Sequence, residues 1–136
     1  MRVLVIDRKA FLAELVKLAL EAEGHTCFTA AGVDEASEIL RSVRIDLVTL
    51  DLEAHGGNRL AWLGDAVLAH PELHGRVFIL IDRPLDHDET ARVQACGARV
   101  IGKPFTLHQV RETVRTMTPA GGRATDPRPR GPVVET

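Results

Sequence analysis

Short apolar runs alternate with longer stretches in which apolar residues recur every three or four positions, from the first residue to about Met117. Val3-Leu4-Val5-Ile6, Leu47-Val48-Thr49-Leu50 and Val77-Phe78-Ile79-Leu80-Ile81 carry no charge, as expected of strands buried on both faces of a parallel sheet. Thr26 to Thr29 reads as a shorter strand, and Val100-Ile101 marks a fifth. Between them the spacing turns helical. Residues 9 to 23 repeat apolar groups at Leu12, Leu15, Val16, Ala19 and Leu20, and Gly24 supplies the stop. A second helix over 33 to 42 turns Ala36, Ile39 and Leu40 inward. Leu60, Leu63, Ala66 and Val67 form the next stripe, which Pro71 closes. A weaker helix over 86 to 96 ends at Gly97. The last begins with a capping box, Thr106-Leu107-His108-Gln109, and keeps Leu107, Val110, Val114 and Met117 on one face. Five strand–helix pairs in alternation predict an α/β layer fold with right-handed crossovers.

The pattern stops at Thr118. Four of the seven prolines and the arginines 123, 128 and 130 lie beyond it, with no apolar periodicity. Such a segment has too little apolar area to offset its ordering entropy, so residues 118 to 136 are expected to form a disordered tail on a domain spanning 1 to 117.

Composition narrows the function classes. Hydrophobic residues make up 45% of the 136 and charged ones 26%, the balance of a globular chain. A net charge of −2, from 17 basic and 19 acidic side chains, gives no electrostatic footprint for nucleic acid or an anionic membrane. No apolar run approaches the roughly 20 residues that span a bilayer. Cys27 and Cys96 lack metal-ligand spacing, which points to small buried hydrophobes in a reducing cytoplasm. The six histidines are scattered, and a zinc site is not expected. Arg8-Lys9-Ala10 follows the first strand in place of a glycine-rich turn, so neither a dinucleotide enzyme nor a flavin carrier is indicated. No nucleophile–base pair marks a hydrolase. The chain is not expected to be an enzyme.

Three polar residues stand where an open parallel sheet collects its functional groups, just beyond the carboxyl ends of strands. Asp7 follows the first strand, Asp51 the third and Lys103 the fifth. Asp7 alone could be an ordinary helix cap. Two carboxylates and an ammonium converging on one crevice suit a hard cation and a phosphoryl group. One carboxylate would then act as nucleophile, and the lysine would hold a phosphoryl oxygen.

Val3-Leu4-Val5-Ile6-Asp7, Asp46-Leu47-Val48-Thr49-Leu50-Asp51, Gly97-Ala98 and Lys103-Pro104-Phe105, in that order and spacing, resemble the landmarks of CheY-like receiver domains of two-component response regulators. The resemblance covers residues 1 to about 117. It implies a flavodoxin-like sheet of order 2-1-3-4-5 with helices on both faces. It also implies that a histidine kinase or phosphotransfer protein passes phosphate to Asp51. Mg²⁺ would be held by Asp7, Asp51 and the backbone carbonyl of Glu53, with Lys103 on the phosphate and a cis Lys103–Pro104 bond.

The departures from that pattern carry their own expectations. Arg8 stands where the family has a second acid, which weakens the metal site because arginine neither ligates nor loses its charge. Asp82 replaces the switch threonine or serine, and a carboxylate there cannot donate to phosphate. The aromatic switch position falls on Val100 or Ile101, and the chain contains no tyrosine. Arg59 replaces a glycine in the segment after Asp51. Arg8 is expected to lie in the acid pocket against Asp51 or Asp82, as an internal cation. Two functions follow. One is a phosphorelay receiver with Asp51 as phosphoacceptor. The other is a phosphorylation-independent pseudo-receiver that works as a protein–protein interaction module. Either would act through a downstream protein partner or a second copy of the chain, away from nucleic acid and membrane.

Overall fold

Every apolar run of the sequence is a strand, and every helical stripe is a helix, in a computed structural model that describes residues 1–52 and 57–117. The order is β1 (Arg2–Ile6), α1 (Ala10–Glu21), β2 (Thr26–Ala30), α2 (Val33–Ser42), β3 (Leu47–Asp51), α3 (Gly57–Ala69), a 3-10 turn (Pro71–Leu73), β4 (Val77–Ile81), α4 (His87–Cys96), β5 (Arg99–Gly102) and α5 (Leu107–Met117). The five strands are all parallel, in the order β2-β1-β3-β4-β5. Residues 118–136, the tail of the sequence reading, lie outside the described residues.

Strand alternation divides the apolar residues between two cores. Leu4, Ile6, Val48, Leu50, Val77 and Ile79 face α2, α3 and α4, where they meet Ala36, Leu40, Leu60, Leu63 and Val93. Val3, Val5, Phe78 and Leu80 face α1 and α5 and meet Val16, Leu20, Val110 and Val114. Each of the Val, Leu, Ile and Phe side chains among them, buried from an exposed state, contributes roughly 1.5–3 kcal/mol. The two cores clamp the sheet from both sides, so its strand ends are fixed platforms.

Local chemistry sets the element ends. Gly97 terminates α4 in the left-handed region at φ 65°, and a Cβ there would meet the backbone of Gly75 at 3.2 Å. The capping box of α5 is formed, with Gln109 N donating to Thr106 Oγ1 at 3.0 Å and Thr106 N to Gln109 Oε1 at 2.7 Å. Helix α1 is shorter at both ends than its stripe predicts, and α3 begins ahead of Leu60, at Gly57. No helix among the described residues is long and apolar enough to cross a membrane.

Candidate functional site

Parallel strands deliver their carboxyl ends to one edge of the sheet. There the chain departs from β1 toward β2 on one side, while β3 returns on the other, and a crevice opens between β1 and β3. Asp7 lies one residue beyond β1, and Asp51 is the last residue of β3. The register pairs Ile6 with Leu50, so the two carboxylates stand side by side. Lys103 follows β5, two strands away from β3, and its long side chain crosses β4 to place Nζ on Asp51 Oδ1. The Lys103 backbone is tied down as well, with its N–H donating to the Ile81 carbonyl at 2.6 Å, and the Lys103–Pro104 bond is cis. Asp7, Asp51 and Lys103 are therefore brought together.

Both acids are buried, at 4% and 2% exposure, which sets the electrostatics. Burial pushes the Asp7 carboxyl above its usual range. The Lys9 N–H, donating to Asp7 Oδ1 at 2.8 Å, pulls it back down. The neighbouring Asp51 charge raises it further, and Lys103 opposes that. Asp51 itself has one oxygen on Lys103, and its second oxygen has no protein partner among the described residues.

A second cation reaches Asp51. Arg59, in the first turn of α3 and half-buried, donates from Nη1 to the Asp51 main-chain carbonyl at 3.2 Å. The sequence put Arg8 in this role, but Arg8 is exposed. Lys103 and Arg59 both hydrogen-bond to Asp51.

The end of β4 is organised differently. Asp82 is exposed, and its charge acts on the adjacent Arg83. Arg83 forks onto the buried Glu89, donating Nη1 to Oε1 at 2.8 Å and Nη2 to Oε2 at 2.7 Å. Glu89 also closes a capping box on α4, accepting from Asp86 N at 3.0 Å while its own N–H donates to Asp86 Oδ1 at 2.8 Å. The Arg83 fork, followed by the Asp86 N–H, holds the Glu89 carboxyl down at about 2. The sequence reading missed this clamp. The spacing of Asp86 and Glu89 is a legible capping signal, whereas nothing local identifies Arg83 as the partner. At the family's aromatic position, Val100 is exposed and Ile101 half-buried.

Divalent-cation ligands are few. Asp7 and Asp51 each have one oxygen already accepting an N–H, Arg8 occupies the adjoining position, and Glu53 lies outside the described residues. Among the described residues, no three His, Cys, Asp or Glu side chains are grouped to hold a metal. Magnesium completes its octahedron largely with water, and the carboxylates that the described residues bring to this crevice are Asp7 and Asp51.

The remaining polar signals are structural. Trp62, half-buried in α3, donates from Nε1 to Ser37 Oγ on α2 at 2.8 Å. Cys27 and Cys96 are buried free thiols, and burial pushes Cys27 up to about 11.

No family model matches the chain. It is 32% identical over 108 residues to the probable transcriptional regulatory protein TcrX of Mycobacterium tuberculosis, covering 79% of this chain and 45% of that one. A response regulator from Thermotoga maritima superposes with a TM-score of 0.73 at 30% identity, over 85% of this chain and 95% of the other. The receiver domain of NtrX from Brucella abortus superposes with a TM-score of 0.71 at 27% identity, over 85% and 96%. The chain spans about half the length of the curated relatives it matches, 45% and 47%.

Proposed function

This chain belongs to the receiver family of response regulators, and from that premise we propose that Asp51 is its phosphoacceptor and that its dependence on Mg²⁺ is weak. The observation that carries the proposal is the state of the Asp51 carboxylate. It is buried beside Asp7, one oxygen rests on Lys103, and the other has no protein partner among the described residues. A buried carboxylate oxygen without a donor is costly unless a ligand completes it. In the transfer, an Asp51 oxygen attacks phosphorus while the bond from phosphorus to the donor's nitrogen or oxygen breaks, and the electron pair leaves with the donor. Lys103 is in reach of a phosphoryl oxygen once that oxygen replaces it at Asp51. A histidine kinase or phosphotransfer protein is the donor in a cell, and the product state is read by a protein partner or a second copy of the chain. The domain works as a cytoplasmic switch, with no small-molecule turnover of its own.

Weak magnesium binding follows from Arg8, which removes one acid and adds a fixed charge at the pocket's rim. A second reading, a module that signals without phosphate, is favoured by the end of β4. Asp82 brings no hydroxyl to the phosphate, and the Arg83–Glu89 fork ties the adjoining loop to α4. Incubation with acetyl phosphate and Mg²⁺, followed by intact mass, separates the two. One added phosphoryl group in the unaltered protein, absent from Asp51→Asn, supports the phosphoacceptor. Label found only in an Arg8→Asp, Asp82→Thr double variant selects the phosphate-independent module.

A further inference from the structure

We propose that Arg59 is the built-in cation of this pocket, holding the incoming phosphoryl group with a fixed guanidinium in place of a divalent ion. The inference rests on Asp51 as the phosphoacceptor. The first turn of α3 carries Arg59 back onto β3, where Nη1 lies 3.2 Å from the carbonyl oxygen of the residue whose carboxylate reacts. That hydrogen bond uses one N–H of a planar group with five. The rest have no protein partner among the described residues. Lys103 stands on the carboxylate of the same residue, so Asp51 is bracketed by two cations, one at its side chain and one at its main chain. Arginine keeps its charge at every working pH, and its fork matches the oxygens of a phosphoryl group.

The alternative is a metal between Asp7 and Asp51, and there one oxygen of each acid is already engaged and Arg8 stands next in sequence. The chemistry needs positive charge, not a particular carrier of it. When an Asp51 oxygen attacks acetyl phosphate, the bond from phosphorus to the acetate oxygen breaks. Acetate then leaves with the electron pair, and no proton moves. The phosphoryl group's negative charge is spread over its three peripheral oxygens in the transition state. Two fixed cations at Asp51 stabilise that charge with no ion to recruit.

The test is the rate of labelling by acetyl phosphate, with Mg²⁺ and separately with EDTA, read by intact mass. It compares the unaltered full chain with Arg59→Gln, which keeps a donor without the charge, and Arg59→Lys, which keeps the charge. The unaltered protein is expected to label in EDTA within about threefold of its Mg²⁺ rate, Arg59→Gln to lose roughly tenfold or more in EDTA, and Arg59→Lys to retain much of it. Adding Arg8→Asp to Arg59→Gln should return labelling in Mg²⁺ alone, a metal dependence that a merely structural role for Arg59 would not create. Labelling of the unaltered protein that vanishes in EDTA overturns the inference and leaves Asp51 as phosphoacceptor. So does an EDTA rate that Arg59→Gln leaves unchanged. No label in any arm removes the phosphoacceptor reading and this inference together.

Discussion

Asp51 and Glu89 are both carboxylates buried near the carboxyl edge of the sheet, and each is met by a basic side chain. Their surroundings fit opposite purposes. Glu89 has both oxygens engaged, by the two arms of Arg83 and by the Asp86 N–H, and it helps to cap α4. Its hydrogen bonds all come from within a few residues along the chain, so it is complete without a ligand. Asp51 draws Lys103 from β5 and Arg59 from α3, one on the carboxylate and one on the main chain. One carboxylate oxygen is left for something from outside. The lesson is that burial of a charge does not by itself mark a reactive site. The discriminating feature is how many of its hydrogen-bonding positions the protein fills.

The sharpest way to break this comparison is to neutralise each acid in turn and measure phosphoryl labelling. Asp51→Asn should lower labelling by acetyl phosphate at least about a hundredfold, because it removes the nucleophile. Glu89→Gln should leave labelling in place. If both variants lose label equally, the fork on Glu89 is part of the reactive site and the distinction fails.

Stability should divide the pair the other way. Glu89→Gln should lower the melting temperature at neutral pH, since the fork from Arg83 is lost. The Glu89 carboxyl sits at about 2 when folded against an ordinary 4.5, so its contribution is present above about 4.5 and disappears as pH falls toward 2. Melting curves of the unaltered and Glu89→Gln proteins should therefore converge across that window. Arg83 is 37% exposed, so added salt should narrow the gap. A difference that stays constant down to acid pH would mean that packing, not charge, is the cause.

The smallest effect belongs to Asp7, whose carboxyl is raised by burial. Its protonated form is favoured in the folded state, so stability is lost as pH rises above the ordinary value of 3.8 through the raised one. Asp7→Asn should then raise the urea midpoint slightly at neutral pH, with no gain below 3.8. A lowered midpoint at neutral pH would show that the Lys9 N–H outweighs burial.

Much of this molecule was legible in its sequence because apolar spacing is a local record of which faces are buried. The segments 33 to 42 and 77 to 81 coincide with α2 and β4, and the capping box at Thr106 opens α5. Asp7, Asp51 and Lys103 could be singled out because strand ends in a parallel sheet share one edge. The identity of the second cation at Asp51 could not. Arg8 is a neighbour of Asp7 in sequence and is exposed, while Arg59 is brought in by the way α3 packs back on the sheet. Arg83 likewise meets Glu89 only because the chain between β4 and α4 folds back on itself. Hydrophobic periodicity determines where backbone elements lie. The partner of a long, flexible cation depends on which carboxylate or carbonyl its head group can reach once those elements have packed, and only the tertiary structure decides that.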